Sequence, residues 1–420
     1  MNPSRLPMTG WIADPEVGRV MQALLAGAGV EARYVGGAVR DALRGVIYPG
    51  KQVDVDIATT ATPEKIMELL VAAGVKAVPT GIDHGTITAV SNHRPVEITT
   101  LRRDVATDGR RAEVAYTTDW MADAARRDFT MNAIYAGADG TIYDLLGGVD
   151  DAIAGRVRFV GDADARIRED YLRILRFFRF FAWCGKAGID SNGLQACARH
   201  IAGLAQLSPE RIAKELLKLI SAENPMPALR QMAASGILGA VLPEAVNLER
   251  LHGLAEIDAM TFFEPEPVLR LAALLPDDAA AATQVAARLR LSNAQRDRLV
   301  AVLSARLPVF CYMSAREMRR TAYHLTPKVM RDVAMLRWAG DARLVQNMVQ
   351  WRALLPMIES WKPPRMPLDG HHARLAGVPD GPKIGQVLRE VEEWWIDTDF
   401  TMDEYALLER MKAIVQATVL

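Results

Sequence analysis

Two short stretches near the N-terminus decide the fold: residues 36–43 read GGAVRDAL and residues 53–57 read VDVDI. The first follows a short apolar segment and is typical of a strand that turns into a helix. The second is an apolar run that carries Asp54 and Asp56 two positions apart. Because residues i and i+2 of a strand point to the same face, a strand over residues 53–57 would present both carboxylates together.

Paired carboxylates of this kind repel each other unless a cation lies between them. Hard oxygen ligands suit Mg²⁺, and paired Mg²⁺ ions can activate an attacking hydroxyl and neutralise a leaving pyrophosphate. We therefore predict that Asp54 and Asp56 are metal ligands and catalytic residues. Glu97 alternates with Val96 and Ile98 on another predicted strand and is the candidate third catalytic carboxylate. Taken alone, two aspartates at this spacing more often mark a solvated strand face, so their meaning depends on the motif beside them.

The neighbouring glycine motif has the features of a phosphate cradle. Gly36 and Gly37 let the backbone approach a phosphate closely, and the helix N-terminus together with Arg40 favours its negative charge. The stretch is neither a P-loop nor a dinucleotide-binding loop, because the required lysine and glycine spacing are absent. A plain turn explains a lone glycine pair, but a phosphate cradle shortly before a pair of strand aspartates is a rarer combination.

This combination resembles the polymerase-beta-like nucleotidyltransferase superfamily, and specifically the class II CCA-adding tRNA nucleotidyltransferases and the related bacterial poly(A) polymerases. The resemblance covers residues 30–220 and, more loosely, residues 361–420. It implies an α+β fold, in which an N-terminal polymerase-beta-like nucleotidyltransferase head with a mixed sheet precedes all-α neck, body and tail domains. We place the catalytic head at 1–150, the base-recognising neck at 151–222, and tRNA-binding helical body and tail domains at 223–360 and 361–420, from periodicity and helix breakers.

A second motif, RRDFTMNA at residues 126–133, is similar to a family motif that packs behind the active site and contacts the sugar and triphosphate. The resemblance makes Arg127, Asp128 and Asn132 nucleotide-binding residues. The stretch DLLGG at residues 144–148 resembles the next family motif, which is expected to form a turn leading into the neck.

The segment EDYLRILR at residues 169–176 is predicted to be helical, with Asp170 and Arg173 adjacent on its polar face. A solvated, salt-bridged face is one interpretation. The other is base recognition: an Asp accepts from the exocyclic amine and an Arg donates to the ring nitrogen that cytosine and adenine share, whereas guanine and uracil present a carbonyl beside a ring N–H. The segment looks like the family's EDxxRxxR motif, which makes Asp170 and Arg173 the protein template and Arg176 and Arg179 supporting nucleotide-binding residues.

Three further segments have narrower interpretations. The stretch ERIAKELLK at residues 210–218 resembles the last family motif and is expected to brace the base-reading helix. Residues 104–119 form a polar stretch, for which the resemblance implies a flexible loop that helps the switch from C to A addition; the alternative is a generic surface loop. His84 is expected to serve packing or a turn. His371 and His372 are expected in an exposed loop without a metal, and the absence of a His-Asp dipeptide predicts no phosphohydrolase activity.

Composition limits the class of protein. The 420 residues are 50% hydrophobic with a net charge of −1, basic residues crowd the first half, and acidic residues collect near the end. No apolar run approaches the length of a membrane helix, and the first residues do not form a signal peptide. The three cysteines, Cys184, Cys197 and Cys311, are widely spaced and predict free or buried thiols in the cytoplasm.

The sequence therefore predicts an enzyme that adds CMP, CMP and AMP from CTP and ATP to the tRNA 3′ end, with Mg²⁺ as cofactor and no nucleic-acid template. Its expected partners are the 3′ end and acceptor arm of tRNA, CTP and ATP, with no membrane and no obligate protein partner. The alternatives are a poly(A) polymerase or an enzyme that adds only A, and, more distantly, a non-catalytic RNA-binding protein.

Overall fold

The chain, described here by a computed structural model, divides into two compact units, Met1–Pro243 and Glu244–Leu420. The structure describes residues 3–46, 52–82, 85–108 and 111–419, with the backbone alone for 104–108, 111–114 and 418–419. Within these ranges, no helix is both long enough and apolar enough to cross a membrane.

The first unit combines strands with helices. Its described strands are β1 (Ala32–Val35), β2 (Asp56–Thr59), β3 (Lys76–Gly81), β4 (Thr86–Ser91), β5 (Arg94–Thr100), β6 (Arg102–Asp108), β7 (Arg111–Tyr116), β8 (Ile134–Ala136) and β9 (Ile142–Asp144). Its described α-helices are α1 (Pro15–Leu25), α2 (Gly37–Leu43), α3 (Pro63–Ala72), α4 (Trp120–Ala125), α5 (Gly148–Ala154), α6 (Ala163–Glu169), α7 (Leu172–Cys184), α8 (Ser191–Arg199), α9 (Pro209–Ile220), α10 (Met226–Ala234) and α11 (Ile237–Val241). Short 3₁₀ helices lie at Gly10–Ala13, Thr130–Asn132 and Ile201–Gln206.

Seven of these strands form one sheet in the order β3-β4-β5-β2-β1-β8-β9. Strands β2 and β5 pair in parallel, and the other neighbours pair in antiparallel fashion. Strand β5 shows why the sheet is two-sided, since buried Val96 and Ile98 alternate with exposed Glu97. The mixed sheet confirms the predicted architecture of the head.

Strands β6 and β7 form a separate antiparallel pair, with Asp104 opposite Val114 and Thr107 opposite Ala112. The expectation of a loop over residues 104–119 is therefore wrong for most of the stretch. Val105, Thr107 and Val114 are β-branched and favour extended backbone, and pairing satisfies backbone groups that a loop would leave to water.

The second unit is built from helices alone in its described residues. They are α12 (Leu248–Thr261), α13 (Pro267–Leu274), α14 (Ala279–Arg288), α15 (Asn293–Ser304), α16 (Ala315–Leu325), α17 (Pro327–Ala339), α18 (Met348–Ser360), α19 (Gly370–Leu375), α20 (Pro382–Asp397) and α21 (Glu404–Val419). A buried ion pair at 2.8 Å joins Asp258 of α12 to Arg270 of α13. The α+β class is thus confirmed, with the strands confined to the first unit.

The predicted domain limits relate to these elements in different ways. The limit at 150 falls inside α5, the limit at 222 lies between α9 and α10, and the limit at 360 coincides with the end of α18. The residues after this last limit have a core of their own, built by side chains of α19, α20 and α21 such as Ala373, Val391 and Leu407. The division into head, neck, body and tail stays a prediction, beside the observed division after Pro243.

Candidate active site

A polar cavity of about 530 Å³ in the first unit collects most of the predicted site residues. Its lining includes Gly36, Gly37, Arg40, Asp56, Arg127, Asp128, Asn132, Asp170, Arg173, Arg176 and Arg179. It also includes four residues that sequence reasoning did not assign to the site: Arg126, Leu172, Phe180 and Arg211. Asp54 and Glu97 are outside this lining and lie next to Asp56 at the sheet end of the cavity.

The carboxylate edge differs in one respect from its prediction. Strand β2 begins at Asp56, so Asp54 precedes the strand instead of lying within it. The reason lies in the neighbouring strand: Val35, the partner of Asp56, is the last residue of β1, and the chain then turns into α2. Residues before Asp56 consequently have a sheet neighbour on the β5 side alone, where the Glu97 N–H donates to the Val55 carbonyl at 3.0 Å.

Asp56 lies opposite Glu97 in the parallel register of β2 and β5. Burial raises the pKa of Asp56 to about 6, and the negative charges of Glu97 and Asp54 add to this effect against the opposing charge of Arg127. The edge therefore concentrates hard oxygen donors and negative charge. In the described part of the chain, no three carboxylate, histidine or cysteine groups converge as a metal site. A Mg²⁺ ion held by one or two carboxylates would complete its octahedron with water and substrate oxygens, and this donor set fits such an ion.

The first glycine of the cradle packs against this edge. Gly36 has φ 79° and ψ −137°, a conformation with positive φ that residues bearing a side chain rarely adopt. A Cβ atom at this position would lie 3.2 Å from the Asp56 Oδ2 atom. Glycine thus suits this position for two reasons: it accommodates the positive φ of the turn into α2, and it avoids a tight contact with the carboxylate.

A chain of hydrogen bonds runs from the cradle to the motif at residues 126–133. Arg40 donates to both oxygens of Asp41 at 2.8 Å and to the Asn132 Oδ1 atom at 2.9 Å. The Asn132 amide donates to Asp128 at 3.2 Å, and Arg176 donates to the same carboxylate at 2.7 and 2.5 Å. Burial acts to raise the pKa of Asp128, but the Arg176 charge and these hydrogen bonds outweigh it and hold that pKa below its usual value.

Helix α9 braces this network through Glu215, a buried carboxylate that lies 2.6 Å from the Arg179 Nε atom and 3.8 Å from the Arg176 Nη1 atom. The bracing role expected for residues 210–218 is therefore observed. The helix starts at Pro209 after Ser208, whose side chain makes no capping hydrogen bond.

Arg126 and Arg127 are held by a residue that sequence reasoning missed. The buried Asp123 carboxylate pairs with Arg126 at 2.7 Å and with Arg127 at 2.9 Å, and accepts a hydrogen bond from the Tyr135 hydroxyl at 2.7 Å. Burial acts to raise the pKa of Asp123, but the two arginines outweigh it and lower that pKa. The available signal was its spacing, because Asp123 precedes the arginines by three and four positions, the separation at which side chains of one helical turn lie side by side.

The base-reading segment is not one continuous helix, and this corrects its prediction. Asp170 has extended dihedral angles, φ −155° and ψ 105°, between α6 and α7. The Asp170 Oδ1 atom accepts from the Leu172 N–H at 3.1 Å, a local bond that competes with continuation of the helix. Arg173 donates to Glu169 at 2.5 Å and to the Arg166 carbonyl at 2.7 Å.

The ion pair between Asp170 and Arg173 that the salt-bridged interpretation would require is not formed in the described structure. The Asp170 Oδ2 atom instead accepts from Arg211 of α9 at 2.7 Å. Both residues nevertheless line the same cavity.

The remaining expectations have mixed outcomes. Asp144 accepts from the N–H groups of Gly148 at 2.7 Å and Val149 at 3.0 Å, which forms the predicted turn into α5. Cys184, Cys197 and Cys311 are free and buried. His84 lies outside the described residues. The two adjacent histidines lie in α19 and not in a loop, where the His372 ring hydrogen-bonds the capping residue Asp369.

Comparison with known proteins shows which family the chain resembles. A family model described as "Poly A polymerase head domain" matches residues 32–158, and one described as "Probable RNA and SrmB- binding site of polymerase A" matches residues 188–248. The chain is 36% identical over 402 residues to a Mus musculus protein named "CCA tRNA nucleotidyltransferase 1, mitochondrial", covering 91% of this chain and 86% of the relative.

The chain belongs to the CCA tRNA nucleotidyltransferase family. A Streptococcus gordonii CCA-adding enzyme is 31% identical over 395 residues, with 92% of this chain and 94% of the relative covered. Among solved structures, the Bacillus stearothermophilus CCA-adding enzyme in complex with CTP superposes with a TM-score of 0.80 at 26% identity, covering 98% of this chain and all of that one. The family and the enzyme class expected from the sequence are thereby confirmed.

Proposed function

We propose that this member of the CCA tRNA nucleotidyltransferase family adds CMP, CMP and AMP from CTP and ATP to the 3′ end of tRNA without a nucleic-acid template. The observation that carries the proposal is the single cavity that has the Asp56 carboxylate at its sheet end and the Asp170 and Arg173 side chains at its helical end. The first end suits phosphoryl transfer, and the second suits selection of a base.

At the sheet end, Asp54 and Asp56 would hold Mg²⁺, with Glu97 adding negative charge beside them. Bound there, the metal supplies activation of the attacking 3′ hydroxyl and neutralisation of the leaving pyrophosphate. The chain's own contribution is to bind and orient the triphosphate: the backbone at Gly36 and Gly37 lies open to a phosphate, and Arg40 adds positive charge.

Behind the triphosphate, Arg127, Asp128 and Asn132 would position the ribose and the phosphates. Asp123 holds Arg127 from one side, and Arg176 holds Asp128 from the other. Both side chains are therefore fixed before a nucleotide binds, and less ordering remains to be done on binding.

At the helical end, Asp170 would accept a hydrogen bond from the exocyclic amine of cytosine or adenine, and Arg173 would donate to the ring nitrogen beside it. Guanine and uracil would place a carbonyl against the carboxylate and leave buried polar groups unpaired, which disfavours them strongly. Arg176 and Arg179 support this end through Asp128 and Glu215.

The RNA partner follows from the same proposal. Solved structures similar in fold include a Thermotoga maritima CCA-adding enzyme complexed with tRNA, at a TM-score of 0.63 and 21% identity. We propose that tRNA binds mainly through its backbone and shape, because every tRNA must be accepted whatever its sequence. No obligate protein partner is part of the proposal.

A poly(A) polymerase is the second candidate, favoured by the description of the family model that matches residues 32–158. An extension assay separates the two, using tRNA transcripts that end at the discriminator base, at C or at CC, each with Mg²⁺ and one labelled nucleotide at a time, and then with CTP and ATP together. Two C additions followed by one A, with GTP and UTP refused, are expected. Long A tails would contradict the proposal and indicate a poly(A) polymerase, and A added to the CC-ended transcript while CTP extends neither shorter transcript would indicate an enzyme that adds only A.

The proposed compartment is the cytoplasm, which suits three free cysteines because a reducing compartment keeps thiols unpaired. The mouse and human relatives carry the word mitochondrial in their names. Subcellular fractionation with an antibody against the chain tests this assignment, and recovery in an organelle fraction would overturn it.

A further inference from the structure

Arg211, in the first turn of α9, reaches from the bracing helix into the base-reading end of the cavity. Its Nη2 atom donates to the Asp170 Oδ2 atom at 2.7 Å. The side chains remain accessible, with 49% of Arg211 and 34% of Asp170 exposed. The contact therefore lies at the cavity wall, where a bound nucleotide base would meet it.

The Asp170 carboxylate is fixed at both oxygens. Oδ2 accepts from Arg211, and Oδ1 accepts from the Leu172 N–H at 3.1 Å. An ionised carboxylate has about four acceptor positions, so each oxygen retains one for a further donor. Two donors from the protein thus fix the plane of the carboxylate. Its remaining acceptor positions are left for a donor in the cavity.

The other arginines near Asp170 have their hydrogen bonds elsewhere. Arg173 bonds Glu169 and the Arg166 carbonyl, and Arg176 bonds Asp128. The charge of Arg176 acts on Asp170 from nearby, but its guanidinium points to a different carboxylate. Arg211 is therefore the side chain that orients the Asp170 carboxylate.

We propose that Arg211 is a positioning residue for base selection, which fixes the Asp170 carboxylate as an acceptor for the exocyclic amine of an incoming nucleotide. This inference rests on the proposed function, because it assigns Arg211 a role through Asp170. Without this contact, the Asp170 carboxylate between α6 and α7 would rotate and lose part of its preference for an amine, since its orientation would then have to be fixed when the nucleotide binds.

A different role is compatible with the exposure of Arg211, namely contact with an RNA phosphate. The two roles differ in what they change. Loss of a phosphate contact weakens RNA binding for all nucleotides alike and lowers its salt dependence. Loss of a positioning contact changes the ratio of kcat/KM between CTP and UTP and leaves the KM for tRNA unchanged.

The test compares the wild-type chain with Arg211→Ala, Asp170→Asn and the double variant, in extension assays with CTP and UTP. Arg211→Ala is expected to reduce the CTP-to-UTP ratio about tenfold or more, as loss of a charged hydrogen bond would. In the Asp170→Asn background the same change is expected to have no further effect on the ratio, because the two residues act as one unit. Lys214→Ala removes an exposed charge one turn along α9 and serves as the matched control.

An unchanged ratio in Arg211→Ala, an equal loss in the Asp170→Asn background, or a raised tRNA KM alone would each overturn the proposal. If Arg211→Ala does not fold by circular dichroism, Arg211→Gln keeps an N–H donor without the charge, and an intermediate ratio is expected from it. Calorimetric binding of CTP and UTP without tRNA separates this inference from the proposed function. Wild-type chain that adds no C or A refutes the function, whereas equal CTP selectivity of wild type and Arg211→Ala in binding refutes the positioning role.

Discussion

The two ends of the cavity differ in how their charged side chains are arranged. At the sheet end, Asp54, Asp56 and Glu97 lie beside one another, and their mutual repulsion adds to burial in raising the pKa of Asp56 to about 6. At the helical end, carboxylates and arginines alternate, so that Asp128 lies 2.5 Å from Arg176 and its pKa is lowered.

This difference shows at which end the protein's own side chains balance the charges. The helical end compensates its charges with its own side chains. The sheet end has an excess of negative charge that a bound cation would neutralise. A template must keep its shape to select a base, whereas a phosphoryl-transfer centre must leave room for ions and phosphates.

The largest effect is expected from Asp56→Asn, which removes one charge at the sheet end without changing shape. Addition of both nucleotides should fall about a thousandfold or more, since metal-assisted charge stabilisation contributes several kcal/mol. The affinity for tRNA should change little. Single-turnover extension and filter binding measure the two quantities. Asp139→Asn, an exposed carboxylate paired with Arg5, is the control, and a loss of less than tenfold in Asp56→Asn would break the comparison.

The next largest effect is expected from Asp128→Ala at the helical end. It leaves the Arg176 charge without its main partner and should lower the free energy of unfolding by about 3 kcal/mol. Urea unfolding measures this, with Asp139→Ala again as the exposed control. Because the pKa of Asp128 is depressed below 3.8, its stabilisation is present above that pH and is lost as the pH falls below it. A difference from wild type that grows in acid would contradict this account.

A smaller effect, in selectivity, is expected from Asp170→Ala. Without the acceptor for the exocyclic amine, the ratio of kcat/KM for CTP over UTP should fall about tenfold to a hundredfold. Competition assays with both nucleotides on a tRNA transcript that ends at the discriminator base measure this ratio. Unchanged selectivity would exclude Asp170 from the templating role and leave the helical end a structural network.

The smallest effect is expected from magnesium on stability. At ten times its dissociation constant, Mg²⁺ should raise the free energy of unfolding of the wild-type chain by about 1.4 kcal/mol. The increase should vanish in the double variant Asp54→Asn and Asp56→Asn and persist in Asp170→Ala. Thermal unfolding with magnesium or with a chelator tests this, and an increase that survives in the double variant would place the ion elsewhere.

Local sequence was sufficient for the features that depend on spacing along the chain. The alternation of Val96, Glu97 and Ile98 predicted a two-sided strand, and the structure has it in β5. The glycine pair predicted the turn into α2, where Gly36 takes a positive φ. Such features follow from the period of the backbone and from the conformational freedom of single residues, which neighbours in sequence already determine.

Motif resemblance predicted most of the residues that share the cavity, but not how their charges are paired. The partners of the site residues come from far along the chain, as in Arg40 with Asn132, 92 positions apart, and Arg211 with Asp170, 41 positions apart. A charged side chain has several possible partners in sequence, and packing selects among them because burial penalises every unpaired charge.

The sequence by itself thus determined the family, the α+β class, the carboxylate spacing and most of the residues around the cavity. Only the tertiary structure decided that β2 starts at Asp56, that the chain breaks its helix at Asp170, and that this carboxylate faces Arg211 in place of Arg173. The physical reason is common to all three. Strand ends, helix ends and ion pairs depend on which backbone and side-chain groups the fold brings alongside, and that information is not contained in the period of any one segment.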